Sequence, residues 1–341
     1  MSRALLVRSA GPGVTVQDLG RPGYLAFGLS RGGAADRLAM AEGATLLGQS
    51  ETLAAIEMGA MGGTFEATED MRIAVTGAPM RAHIDGARLA WQASHVLPAG
   101  AQLTIGAATE GSYGYLHVGG GIESPARLGS RAAHLAAGLG DRLQTGDRLA
   151  VGPDPNRDTG LTLDAEPRFD GGLIRIVPSL QTEFFAEDQI ARFEATEFRR
   201  VARGNRMGVP LRQNGAGFES RAGLSVLSEV IVPGDIQITG DGTPFVLLCE
   251  CQTTGGYPRI GSVLPADLPR VAQAAAGARL RFQFVSMEAA VEVEAQERAR
   301  RRARAQHLRP LIRDPRTMTD LLSFNLISGA TAGEAHLEER V

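Results

Sequence analysis

The chain has 341 residues, 43% of them hydrophobic, with a formal net charge of -3, which suits one large or two ordinary globular domains. So balanced a charge gives no basic stripe of the kind that neutralises nucleic-acid phosphates, and no apolar run approaches the length needed to cross a bilayer. Every basic residue is arginine; without lysine this polypeptide cannot carry a Walker-type phosphate loop, a Schiff base or attached biotin.

The opening MSRALLVRSAGPG has too short an apolar run for a signal peptide, so a cytoplasmic location is expected. A strand over Ala4 to Arg8 leads into TVQDLGRPGY, Thr15 to Tyr24, where Gln17, Asp18, Arg21 and Tyr24 surround the tight turn Arg21-Pro22-Gly23. The bland reading of Asp18 and Arg21 is a surface ion pair that contributes little. Ala35 to Leu47 has Leu38, Ala41, Thr45 and Leu46 at helical spacing, with Asp36 near its start. From Ala54 to Gly152 the pattern is β throughout, and 43 glycines against one Trp and four Tyr fit many short strands joined by tight turns. Gly152 to Gly172, rich in Pro, Gly and Asp, reads as a linker. A strand, LIRIVPS, then precedes a helix over Thr182 to Glu194 with Phe184, Phe185, Ile190 and Phe193 on one face, and strands resume from Arg199 to Phe284. Met287 to Gln306 is an Ala-, Glu- and Arg-rich helix whose RARRRAR run, balanced by glutamates, reads as a solvated face, and the tail LLSFNLI, Leu321 to Ile327, is apolar enough to dock on the body. The expected organisation is a first β-rich domain over 1–152, a linker over 153–172, a second β-rich domain over 173–285 and a helical extension over 286–341.

The most site-like stretch is CQTTGGYPRIG, Cys251 to Gly261, directly after the apolar run Pro244 to Cys249. Gly255, Gly256 and Pro258 break the strand and would hold Gln252, Thr253, Thr254, Tyr257 and Arg259 rigidly at its end. The alternative is a hairpin whose Thr and Gln satisfy turn backbone groups. Cys249 and Cys251 share a strand face, which disfavours a disulfide; a nucleophilic Cys251 has no histidine near it in sequence. The six histidines lack the short spacings of metal sites, and no metal is expected.

The motifs VQDLGRPGY, AVTGAP, YLHVGGGI, LGSR, NRMG, SEVIVPGDIQI and QTTGGYPRIGSVLPADL, spread from Thr15 to about Gly277, resemble the allophanate hydrolase subunit 2 family, also described as KipA-like or biotin-dependent carboxyltransferase family proteins. Its commonest assigned role is the C component of 5-oxoprolinase. The chain departs from the family pattern at Glu250, where Asp is usual, at Cys251, at Gly204-Asn205 and at Pro210. The resemblance implies a mainly β fold of two cyclophilin-like β-barrel domains with a few short helices and the C-terminal helical extension. It implies one component of a bacterial ATP-dependent 5-oxoprolinase, opening the lactam of 5-oxoproline to glutamate with KipI-like (the B component) and LamB/YcsF-like (the A component) partners. ATP would be shared with or bound by those partners. In that role Arg21, Arg206 and Arg259 would supply forked donors, Gln17, Tyr24, Gln252, Thr253, Thr254 and Tyr257 would orient the substrate, and Asp18, Glu57 or Asp267 would position water. Asp267 as a helix cap and Arg206 as a barrel brace are the structural alternatives. Two other functions fit the resemblance: a carboxyltransferase-type component of a urea carboxylase or allophanate hydrolase-like system, receiving carboxyl groups from biotin on another chain, and a non-catalytic KipI antagonist-like binding module.

Overall fold

The structure, a computed structural model, describes residues 3–223 and 225–312; the apolar tail 321–327 lies outside the described residues. The chain is mainly β. Its first half forms two sheets over one core. One runs in the order Arg148–Ala150, Ala4–Ala10, Gly63–Ala67, Gln102–Ala108, Met80–Ile84, Ala87–Arg88. The other runs Val14–Gln17, Ala55–Gly59, Tyr113–Val118, Met71–Gly77, Ala93–Leu97, Leu161–Thr162, Arg309–Pro310. Leu5, Val7, Phe65, Leu103 and Ile105 of the first sheet meet Val16, Ile56, Met58, Ile73 and Leu116 of the second, all buried.

Every residue of Met71–Gly77 and Tyr113–Val118 is buried, because helix α1 (Arg37–Leu47) covers the sheet face turned away from that core. Asp36 caps α1, its carboxylate accepting from the Leu38 and Ala39 amides. Gly43 lets the helix lie against the strand: a Cβ there would stand 2.2 Å from the buried His117 ring.

The second half closes into a seven-stranded barrel in the order Gly171–Val177, Arg259–Val263, Asp235–Ile238, Pro244–Leu247, Gly208–Arg212, Phe198–Arg200, Arg279–Phe284. The first and last of these in sequence pair in parallel and complete the closure. Phe193, Phe198, Phe218 and Phe282 fill one end, with ring centroids 5.0 to 5.9 Å apart. Phe193 comes from α2 (Glu187–Ala195), so the helix expected over 182–194 is divided. Its start is a 3-10 turn, Thr182–Phe184, whose Thr182 hydroxyl donates to the Ile260 carbonyl and ties it to the barrel.

The Pro/Gly/Asp-rich stretch between the halves follows the first body. Leu161–Thr162 pairs with Ala93 and with Arg309–Pro310, and the Arg168 guanidinium is buried between Asp36 (2.8 Å) and Glu42 (2.7 Å). The α3 helix (Leu268–Gln273) follows the Asp267 turn, and α4 (Met287–Ala303), capped by Ser286, exposes most of its length. Among the described residues no helix is long and apolar enough to cross a membrane.

Candidate functional site at the junction of the two β bodies

The two bodies meet where loop 17–35 of the first reaches the 205–207 and 249–250 segments of the second. Gly33 lies at φ +83, where a Cβ would stand 2.5 Å from the Gly20 amide nitrogen, so this close chain crossing requires glycine. Beside it the Gly32 amide donates to the Cys249 carbonyl at 3.0 Å.

Arg206 links the halves. Its Nε donates to Glu250 at 2.6 Å, its Nη2 to the Gly33 carbonyl at 2.6 Å, and its Nη1 to Glu57. Glu57 also accepts from the Ala35 amide at 2.8 Å and from the Tyr115 hydroxyl at 2.6 Å; Tyr115 stands directly opposite it in the neighbouring strand. Burial and the nearby Glu57 push the Tyr115 phenol well above its usual range, so it stays protonated and donates. Burial works against the Arg206 charge, but the adjoining carboxylates of Glu57 and Glu250 outweigh it and hold the guanidinium firmly protonated.

A cavity of about 390 Å³ opens against this bridge, lined by Thr15, Tyr113, Arg142, Asn205, Arg206 and Glu250. Asn205 uses its carbonyl oxygen to accept from the Met207 amide at 2.8 Å, which leaves its NH₂ for a ligand. Arg142 is exposed with no carboxylate within 4 Å among the described residues. Arg206 occupies one oxygen of Glu250, leaving the other for water or an incoming N–H. The wall therefore offers a cation, an amide donor and a carboxylate oxygen on a rigid frame.

Behind the bridge lies a second polar group. Asp18 is saturated, accepting from the Gly20 amide (2.7 Å), the Ser130 hydroxyl (2.6 Å) and the Arg131 amide (2.7 Å). Gln17 donates to Thr15 and to the Ala133 carbonyl; Arg21 donates to the carbonyls of Ala132 and Arg127. Each keeps one buried atom without a partner, Gln17 Oε1 and Arg21 Nη1, and His134, held by Ser30 through Nε2, keeps Nδ1. Burial lowers the pKa of Arg21 and of His134. Gly32 sits between the last two, its Cβ position 3.0 Å from the His134 ring and 3.4 Å from Arg21 Nη1. Tyr24 instead precedes the exposed 3-10 turn Leu25–Phe27.

The remaining predicted residues stand apart from the bridge. Thr254–Gly255 pairs with Glu229–Val230 as a two-stranded ribbon, with Gln252 and Thr254 exposed, Thr253 half-buried and Tyr257 44% exposed. Arg259 lies beneath it with its donors engaged by Glu229 (2.6 Å), the Val230 carbonyl (2.9 Å), Asp235 (3.2 Å) and Gln181 (3.3 Å). Asp267 occupies the cap position of α3 without a side-chain cap bond; both its oxygens take Arg175 at 2.6 and 2.8 Å. Of the residues flagged from sequence, the structure brings Arg206, Glu57 and the Gln17, Asp18 and Arg21 group to one junction; Tyr115, His134, Arg142 and Asn205 were not flagged as participants. Among the described residues no cluster of three or more His, Cys, Asp or Glu is placed to hold a metal.

The chain is 35% identical to the C component of 5-oxoprolinase from Haemophilus influenzae over 78% of its own length and 86% of that protein's. It is 32% identical to the Escherichia coli 5-oxoprolinase C component over 80% and 88%. Urea amidolyase of Saccharomyces cerevisiae matches at 25% identity over 80% of this chain but 16% of that protein. Among solved structures TTHA0988 superposes with a TM-score of 0.76 at 30% identity, covering 83% of this chain and 56% of that one. The Kluyveromyces lactis urea amidolyase shares the fold with a TM-score of 0.80 at 23% identity, over 92% of this chain and 21% of that one. The family model for the carboxyltransferase domain, subdomain A and B, matches residues 27–284, spanning both β bodies and the Arg206 bridge between them, and the chain belongs to that family.

Proposed function

We propose that this chain is the C component of an ATP-dependent 5-oxoprolinase complex, and that its junction cavity binds the lactam. The supporting observation is the cavity against the Arg206 bridge, where Arg142, Asn205 and Glu250 offer complements to the three polar features of 5-oxoproline. Arg142 takes the substrate carboxylate, the Asn205 NH₂ donates to the ring carbonyl, and the free oxygen of Glu250 accepts the ring N–H. Arg206 positions Glu250, and Glu57 with Tyr115 positions Arg206. Asp18 and Asp267, both saturated, act as braces for their loops.

A triphosphate does not fit the same wall. Arg206 and Arg259 are committed to carboxylates, and Arg142 alone cannot neutralise several phosphates. In this reading ATP is held by the partner chains, KipI-like and LamB/YcsF-like proteins, and activation of the lactam takes place in the assembled cytoplasmic complex.

The test is ATP-dependent glutamate release from 5-oxoproline, measured with this chain alone and after co-expression with the two candidate partners. Activity in the mixture alone, reduced at least tenfold by Arg142→Ala or Asn205→Ala with assembly intact, supports the assignment. A well-formed but inactive complex overturns it. The matched family's name favours one second reading, carboxyl transfer from biotin carried by another chain, which the same complex would reveal with urea or a related amide.

A further inference from the structure

Where α4 crosses the start of α1, a cavity of about 270 Å³ is lined by Arg37, Arg298 and Arg301 together with Glu294, Glu297 and Pro265. Its two carboxylates are already engaged. Glu294 accepts from the Ala266 amide at 2.8 Å, and Glu297 pairs with Arg300 at 2.9 Å. The three lining arginines have no carboxylate within 4 Å among the described residues, and the buried Nε of Arg301 has no hydrogen-bond partner. Arg37 is anchored only through Nη2 to the Leu19 carbonyl at 2.9 Å, the same carbonyl that takes Arg31 Nε at 2.9 Å. Cations are thus gathered from α1, α4 and loop 17–35, with Glu51, Asp18 and the lining Glu297 acting on Arg37, Arg31 and Arg301 from beyond ion-pair range. Burial lowers the Arg37 pKa to about 10, and the neighbouring charges of Arg31 and Arg301 add to the shift, as expected where buried cations outnumber the carboxylates beside them.

We propose that this cavity is a binding site for a phosphate-bearing anion. Guanidinium forks approaching from separate elements match a group with oxygens on every side, whereas a carboxylate is saturated by one fork. The volume suits phosphate or a small phosphate ester. Arg298 and Arg301 lie beyond the stretch matched by the family, and the site stands independently of the oxoprolinase reading.

Thermal unfolding of the full chain in inorganic phosphate, at constant ionic strength with chloride or acetate as the control anion, tests the site. The expected result is a saturable rise in midpoint with phosphate only, absent in Arg301→Gln and in Arg37→Gln. In phosphate-free buffer Arg301→Gln should unfold at or above the wild-type midpoint, because it relieves repulsion. An equal rise with acetate, a phosphate response retained by Arg301→Gln, or a lowered phosphate-free midpoint in that variant overturns the proposal. Isothermal titration with phosphate reads the same site directly: binding lost in both variants supports it, and no binding to the wild type overturns it.

Discussion

Replacing Arg206 by methionine keeps most of the side-chain volume and removes the cation from between Glu57 and Glu250, which are 1% and 4% exposed. Removing one partner of a buried ion pair leaves uncompensated charge and costs about 3–5 kcal/mol, far more than the pair contributes relative to apolar isosteres. The Gly33 carbonyl, bound by Nη2 at 2.6 Å, loses its donor as well. At about 2 °C per kcal/mol for a chain of this size, the melting midpoint should fall by roughly 6–10 °C. Because the loss comes from stranded carboxylates, Glu57→Gln added to Arg206→Met should recover part of it. Differential scanning calorimetry on the single and double variants measures both effects. A single variant within about 1 kcal/mol of wild type, or a double variant that loses the sum of both changes, would refute this origin of the loss.

Gln273 makes four bonds across the junction, accepting from the Ser112 and Tyr113 amides and donating to Asp36 and the Tyr113 carbonyl. Gln273→Ala leaves those groups buried and should cost about 2–4 kcal/mol by urea unfolding; a loss below about 1 kcal/mol contradicts this. Burial drives the His117 pKa down to about 3, below its unfolded value of about 6.5. The neutral ring therefore contributes stability that is complete above about pH 6.5 and declines by up to about 1.4 kcal/mol per unit as pH falls toward about 3. His117→Gln should flatten that acid limb, and an unchanged slope would disprove the assignment. Burial raises both thiols, Cys249 and Cys251, to about 12, so at about pH 8 both are protonated, and a disulfide reagent should label the half-buried Cys249 slowly and the buried Cys251 only when the chain unfolds. Rapid labelling of Cys251 in the native chain would contradict that burial.

The β character and the α1 start were legible because they are local. Short apolar runs between glycines set the strands, and Asp36 before an apolar helical face marks a cap. The Arg206 bridge was half legible: motifs flagged Arg206 and Glu57, 149 positions apart, but spacing cannot show that they touch. QTTGGYP drew attention through its turn chemistry, yet in the fold its polar groups stand on a ribbon apart from the bridge; the contact to the first body is made by the preceding Cys249, while Glu250 holds Arg206. His134 was weighed only as a metal ligand, Asn205 was marked only within NRMG and as a departure from the family pattern, and Arg142 carries no pattern of its own. Their role depends on which loops the two bodies bring together, a property of tertiary packing. The stretch 153–172 has the composition of a linker, but Arg168 within it meets Asp36 and Glu42 at α1, contacts that composition cannot reveal.

The barrel is closed by its first and last strands running side by side in the same direction, with partners from Gly171↔Arg279 to Ile176↔Phe284. Chain enters at one end of that seam and leaves at the other. Tension applied through the flanking segments would therefore pull the two strands past each other lengthwise, loading all the seam's hydrogen bonds together rather than peeling them one by one. The second half should act as a mechanical clamp that passes load between the first body and α4 without opening.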